Sequence, residues 1–134
     1  MRILIDTQIF LWLFGFVNRI SSDVITLLKN GNNEIYFSVA GAWEIAIKYG
    51  SGKLQLPDAP EIFVPDRMRR ANFRWLQIAP EHALTVDKLP LIHKDPFDRL
   101  LVFQAIAENL TILSSDKIFA SYQVKFIDSN TYKI

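Results

Sequence analysis

The sequence predicts an α/β protein, with a parallel sheet carrying helices on both of its faces. Three observations lead there. Short apolar segments rich in branched residues alternate along the chain with longer segments of helical character, the order expected of repeated β–α units. The first apolar segment, Arg2 to Ile5, has no polar alternation, which suits a central strand covered on both sides. Asp95-Pro96-Phe97-Asp98 is a strong helix start, with a capping residue, proline at the first helical position and an acid two residues later.

Taken in order, Arg2–Ile5 is strand one. Asp6-Thr7 then opens a helix from Gln8 to about Phe16, rich in Leu, Trp and Phe. A second helix runs from Ser22 or Asp23 to Lys29, with Ser21 or Ser22 as its N-cap and Gly31 just past its end. Glu34–Phe37 is strand two. Ser38 caps a helix reaching Tyr49, which Gly50-Ser51-Gly52 stops. After a turn-rich Pro57–Pro60, a helix covers Glu61–Asn72, and Pro65 is expected to disturb it because it lacks a ladder donor. Trp75–Ala79 reads as a short strand, Glu81–Lys88 as a short helix and Leu89–Lys94 as a loop. The helix begun at Asp95 reaches about Asn109. Thr111–Ser115 is a strand, Lys117–Ser121 a helical turn and Val124–Ile127 the last strand.

With 134 residues the chain suits one domain that buries a real core, and no repeat, low-complexity tract or linker divides it. Half of its residues are hydrophobic, which argues against disorder. A formal net charge of +1 by itself demands neither nucleic acid nor membrane, although Arg67, Arg69, Arg70 and Arg74 crowd one stretch. There is no cysteine, which excludes disulfides and thiolate metal sites and agrees with a reducing cytoplasm. The apolar run Ile9–Val17 is too short to span a bilayer, and no small-residue cleavage site follows it. It reads as a buried helix.

Chemistry concentrates in four carboxylates. Asp6, Glu44, Asp98 and Asp116 each interrupt an apolar neighbourhood where a strand has just ended or a helix is running. Ligands of open α/β sheets bind outside the carboxyl ends of the strands, so acids drawn there would meet in one pocket. Like charges so gathered repel unless a cation neutralises them, which points to a divalent metal and phosphoester chemistry. Asp6, Asp98 and Asp116 each also have a plainer reading as helix caps or first-turn acids. Glu44 does not: it lies mid-helix among Ala40, Trp43, Ala46 and Ile47, with only Lys48 in reach as an intrahelical partner. His82 and His93 lack metal-ligand spacing and read as surface or loop residues. Gly50-Ser51-Gly52-Lys53 fails as a phosphate loop, since the earlier glycine is missing and Leu54 follows the lysine. No Gly-x-Ser-x-Gly elbow exists.

Four segments in order change the reading: Leu4-Ile5-Asp6-Thr7-Gln8-Ile9-Phe10-Leu11-Trp12, Ser38-Val39-Ala40-Gly41-Ala42-Trp43-Glu44-Ile45-Ala46-Ile47-Lys48, His93-Lys94-Asp95-Pro96-Phe97-Asp98-Arg99-Leu100-Leu101 and Leu113-Ser114-Ser115-Asp116. Together they resemble the PIN-domain family, specifically the VapC-type toxins of bacterial toxin–antitoxin pairs, across essentially the whole chain. The resemblance implies a three-layer α/β/α sandwich with a mostly parallel central sheet and Mg²⁺- or Mn²⁺-dependent ribonuclease activity. It maps the acidic cluster onto Asp6, Glu44, Asp98 and Asp116. Asp6 and Asp98 are expected as direct ligands, with Glu44 and Asp116 holding a second ion or a ligating water. Thr7 and Ser114 are candidate polar helpers, and Asp95 a supporting residue behind the ligands. Gln8 stands where the family often has histidine. A cognate antitoxin and a homodimer are implied as partners, as is RNA as substrate. Because an acidic pocket repels a polyanion, Lys48, Arg67, Arg69, Arg70 and Arg74 are the candidate phosphate contacts, with a merely solvated helix face as the competing reading.

Dehalogenase-like and receiver-domain readings also place an Asp after strand one. Both want further acids on the first loop, and Gln8 stands where the first would have its second. The remaining alternative is a non-catalytic PIN-like RNA- or protein-binding module, against which the presence of all four acids argues.

Overall fold

Five strands, all parallel, form the sheet of the computed structural model, which describes residues Met1–Ile134. They are β1 (Arg2–Ile5), β2 (Glu34–Ser38), β3 (Arg74–Leu76), β4 (Thr111–Ser114) and β5 (Phe126–Asp128), in the spatial order β3-β2-β1-β4-β5. Six α-helices connect them: α1 (Thr7–Leu13), α2 (Ser22–Lys29), α3 (Val39–Gly50), α4 (Pro60–Ala71), α5 (Pro80–Thr85) and α6 (Pro96–Glu108). None is long and apolar enough to cross a membrane.

The central position of β1 explains its unbroken apolar sequence. Successive strand side chains point to opposite faces, and here both faces are covered. Ile3 and Ile5 join a core with Ile9 and Phe10 of α1, Ile45 of α3 and Phe63 of α4. Leu4 joins a second core with Leu101, Val102 and Ala105 of α6, and with Phe119. Ile3, Leu4 and Ile5 are wholly buried. Three layers follow, as expected.

The chain steps outward from β1 to β2 and β3, then returns to lay β4 on the other side of β1. The gap outside the carboxyl ends of β1 and β4 is therefore the topological switch point, where such sheets bind ligands. Ile5 pairs with both Phe37 and Leu113, so the next residues, Asp6, Ser38 and Ser114, stand side by side along that edge.

Local signals set most helix ends. Asp6, Ser21, Ser38 and Asp95 each accept a backbone N–H of the helix they precede. Asn72 and Asn109 close α4 and α6 in the left-handed conformation, at φ of 57° and 55°. Four expectations need correction. The first helix stops at Leu13, not Phe16, because Gly15 follows and Phe14 turns to pack edge-on against Phe10 and Phe73. Pro65 does not interrupt α4. It lies one turn inside, where only the carbonyl of exposed Glu61 loses a donor and faces water instead. Strand β3 is Arg74–Leu76 and not Trp75–Ala79, since β2 ends at Ser38 and the Gln77 carbonyl accepts from Gln104 Nε2 at 3.1 Å. The last strand is shifted to Phe126–Asp128 by its register against Ile112–Ser114.

Candidate active site

Asp6 takes the chain from β1 into α1. Its Oδ1 accepts the Ile9 N–H at 2.8 Å, and its Oδ2 accepts from the hydroxyl of Ser114, the last residue of β4. That hydroxyl also accepts the Asp116 N–H at 3.0 Å, so one buried serine fastens the ends of β1 and β4 to the loop carrying Asp116. Only 6% of Asp6 is exposed. Burial pushes its carboxyl up to about 6 despite the Ser114 and Ile9 hydrogen bonds, and the charges of Glu44 and Asp116 push the same way.

Glu44 arrives from α3, buried, with Oε2 2.9 Å from Lys48 Nζ one turn on. Glycine at 41 lets α3 pass close to the Phe37 ring of β2 and to Thr7 of α1. A Cβ there would stand 2.7 Å from the Phe37 ring and 3.1 Å from Thr7 Oγ1. Asp98 comes from the first turn of α6, whose Phe97 and Asp98 N–H groups are capped by Asp95. Burial and the Asp95 charge push the Asp98 carboxyl up to about 7, against the pull of His93, whose Nε2 is 2.9 Å from Asp98 Oδ2. Asp116 is exposed and caps Ile118 at 3.0 Å.

These side chains line one cleft of about 380 Å³, in which five carboxylates (Asp6, Glu44, Asp95, Asp98 and Asp116) face a single cation, Lys48. Thr7 Oγ1, also of this lining, is buried with no hydrogen-bond partner. The residues fit a hard divalent cation. They offer only oxygen donors and Lys48 in the cleft itself, one ammonium leaves most of the negative charge uncompensated, and a stranded hydroxyl stands ready for a ligating water.

A PIN-domain sequence profile matches residues 3–125. The chain belongs to the PIN-domain family. Among individual relatives, Ribonuclease VapC16 of Mycobacterium tuberculosis is 38% identical over 74 residues. That stretch is 52% of this chain and 51% of the relative, so the chain matches about half the length of that protein. Solved structures share the fold. VapBC2 from Rickettsia felis, bound to a promoter DNA fragment, has a TM-score of 0.74 at 18% identity, covering 96% of this chain and 98% of that one. FitAB bound to the IR36 DNA fragment gives 0.67 at 15% identity, with 98% of each chain covered. VapBC-1 of nontypeable Haemophilus influenzae gives 0.66 at 14%, covering 98% of this chain and 100% of that one. At these identities the likeness is one of fold.

In this PIN domain the basic candidates do not converge as the acids do. Lys48 lines the cleft. Arg67, Arg69 and Arg70 are drawn onto Asp66 of their own helix, at 2.5, 3.8 and 3.1 Å. Arg74 opens β3 and pairs at 3.6 Å with Glu34, the first residue of β2. That is the amino edge of the sheet, and the acids stand at the carboxyl edge. A larger cleft of about 760 Å³ between α3 and α4 is mainly apolar and has Glu61 as its one charged residue, so its size carries no chemistry.

Of the two histidines expected in surface or loop roles, His82 departs from the expectation and His93 keeps a loop position. His82 is 1% exposed, and its Nδ1 accepts the Ala79 N–H at 2.9 Å, so its Nε2 carries the proton and donates to Glu108 at 3.1 Å. His93 does lie in a loop, but one that reaches Asp98 five residues later; proximity to the Asp95–Asp98 helix start was the signal available.

A buried polar bridge ties the start of α3, which carries Glu44, to α6, which carries Asp98. Ser38, which caps α3, donates to Gln104 Oε1 at 2.6 Å, and Gln104 belongs to α6. Both residues are fully buried. Gln104→Leu keeps the volume but strands the buried Ser38 hydroxyl and removes the donor to the Gln77 carbonyl. We expect a loss of about 1–3 kcal/mol in urea unfolding. A loss below about 0.5 kcal/mol, the range of ordinary surface changes, would mean the bridge does not hold the helices.

Proposed function

We propose that this PIN domain is a divalent-metal-dependent endoribonuclease and the toxin of a toxin–antitoxin pair in the cytoplasm. One observation carries the reading: Asp6, Glu44, Asp98 and Asp116, from four separate elements, meet in one cleft with a single lysine among them. The name of the Mycobacterium relative, a ribonuclease, supports it, and the two-component VapBC and FitAB assemblies of the fold relatives agree with a protein partner. We also expect a homodimer.

Asp6 and Asp98, the two carboxylates most strongly forced towards protonation, are the ligands that gain most from Mg²⁺ or Mn²⁺. Bound there, the ion supplies an acidified water and charge stabilisation for phosphodiester hydrolysis. Ser114 and the Ile9 N–H fix the Asp6 carboxylate in one orientation. Glu44 and Asp116 hold water or a second ion, and Thr7 offers its free hydroxyl to the same water. Asp95 fixes the helix start that presents Asp98. Lys48, paired with Glu44, is the cation placed to meet RNA phosphate. Arg67, Arg69, Arg70 and Arg74 guide RNA only from outside the cleft.

The test is cleavage of a mixed RNA pool by antitoxin-free protein with Mg²⁺, Mn²⁺ or EDTA, beside a folded Asp98→Asn variant. Cuts that need the metal and vanish in the variant establish the ribonuclease. Metal binding without turnover of any RNA would instead make this a binding module.

A further inference from the structure

The loop before α6 is tied down at several points, and its fastened end carries His93. Arg99, in the first turns of α6, donates to the carbonyls of Pro90 at 2.9 Å, Val86 at 3.2 Å and Leu89 at 3.4 Å. The hydroxyl of buried Tyr122 accepts the His93 backbone N–H at 3.0 Å. These tethers hold the backbone that carries the imidazole, whose Nε2 lies 2.9 Å from Asp98 Oδ2.

We propose that His93 is a positioning residue: its Nε2–H holds one oxygen of Asp98 and turns the other towards the divalent cation of the cleft. This rests on the metal-dependent reading above. The donor is present whether the ring is neutral or charged, provided the proton sits on Nε2, and the carboxylate facing that nitrogen selects this tautomer. A nitrogen bearing that proton has no lone pair for a metal. His93 thus acts through Asp98, since carboxylates that ligate metals are themselves commonly oriented by outer hydrogen-bond donors. Direct ligation is the rival arrangement, since His93, Asp98 and Asp116 present donor atoms within 4.8 Å of one another.

The experiment is Mn²⁺ binding by RNA-free protein, followed by calorimetry and by electron paramagnetic resonance. Replacing His93 with Ala is expected to weaken binding roughly 10–100-fold. His93→Gln, whose amide N–H reaches towards the same oxygen, is expected to recover most of the loss. Tyr122→Phe keeps the packing but frees the loop, and is expected to weaken binding several-fold. Unchanged affinity in His93→Ala overturns the proposal, as does an imidazole nitrogen coupling on the Mn²⁺ bound to wild type. Wild-type protein that binds no Mn²⁺ removes the metal reading itself, a result distinct from normal binding that ignores His93.

Discussion

Asp6→Asn is expected to reduce RNA cleavage by roughly 10³-fold, the scale of removing one group from a preorganised electrostatic site, while raising the melting temperature of the metal-free protein at pH 8. The two effects have one cause. Asp6 is buried in a place that disfavours its charge, and its carboxyl titrates at about 6 against an ordinary 3.8. That difference corresponds to about 3 kcal/mol of instability at pH 8 when no cation is bound. Asparagine removes the charge and keeps the shape. Its carbonyl can still accept the Ile9 N–H, and the Ser114 hydroxyl, with two lone pairs, can turn to accept from the new amide. A gain of about 1–3 kcal/mol would raise the melting temperature by roughly 3–10 °C. Loss of activity alone could reflect misfolding. Loss of activity in a more stable protein could not. An Asp6→Asn protein that folds and still cleaves RNA would remove Asp6 from the site.

The parts of this architecture that were legible in the sequence are those decided by short-range chemistry. Strand β1 announces its central place because burial on both faces leaves no room for polar alternation. Ser38, Asp95 and Asn109 mark helix ends because capping needs only the residue and its own turn. Glu44 stood out because a mid-helix acid among apolar neighbours has no local purpose, and it does face the cleft. Part of what escaped depends on partners distant in sequence, and part on local pairings that a count of residue types passes over. The lengths of β3 and β5 are fixed by how far β2 and β4 run. Pro65 is tolerated because the carbonyl it deprives belongs to an exposed residue. The arginines of α4 read as one basic stretch, yet Asp66 gathers three of them and none lines the acidic cleft. His93 meets Asp98 only five residues on, but its backbone is held by Tyr122, 29 residues away.

Metal-free protein is expected to lose stability as pH rises from about 4 to 7, the reverse of ordinary acid denaturation. The two raised carboxyls set the sign. In that window the folded chain keeps protons on Asp6, up to about 6, and on Asp98, up to about 7, which the unfolded chain releases near 3.8. The native state therefore binds more protons than the unfolded one, and the slope of unfolding free energy against pH is negative. Below the unfolded value both groups are protonated in either state and cost nothing. A divalent cation opposes that slope, because it binds the ionised carboxylates and must displace those protons. At a metal concentration about 100 times its dissociation constant, stability should rise by about 2.7 kcal/mol. The rise should be full at pH 8 and nearly absent at pH 4.5. In Asp6→Asn the metal-free slope should flatten between pH 4 and 6, with the Asp98 part of the fall still present up to about 7. Melting curves across this range, with EDTA or with Mn²⁺, decide the matter. Metal-free stability that climbs from pH 4 to 7, or a Mn²⁺ shift of equal size at both ends, would show that these carboxylates are not held in strained proximity for a cation.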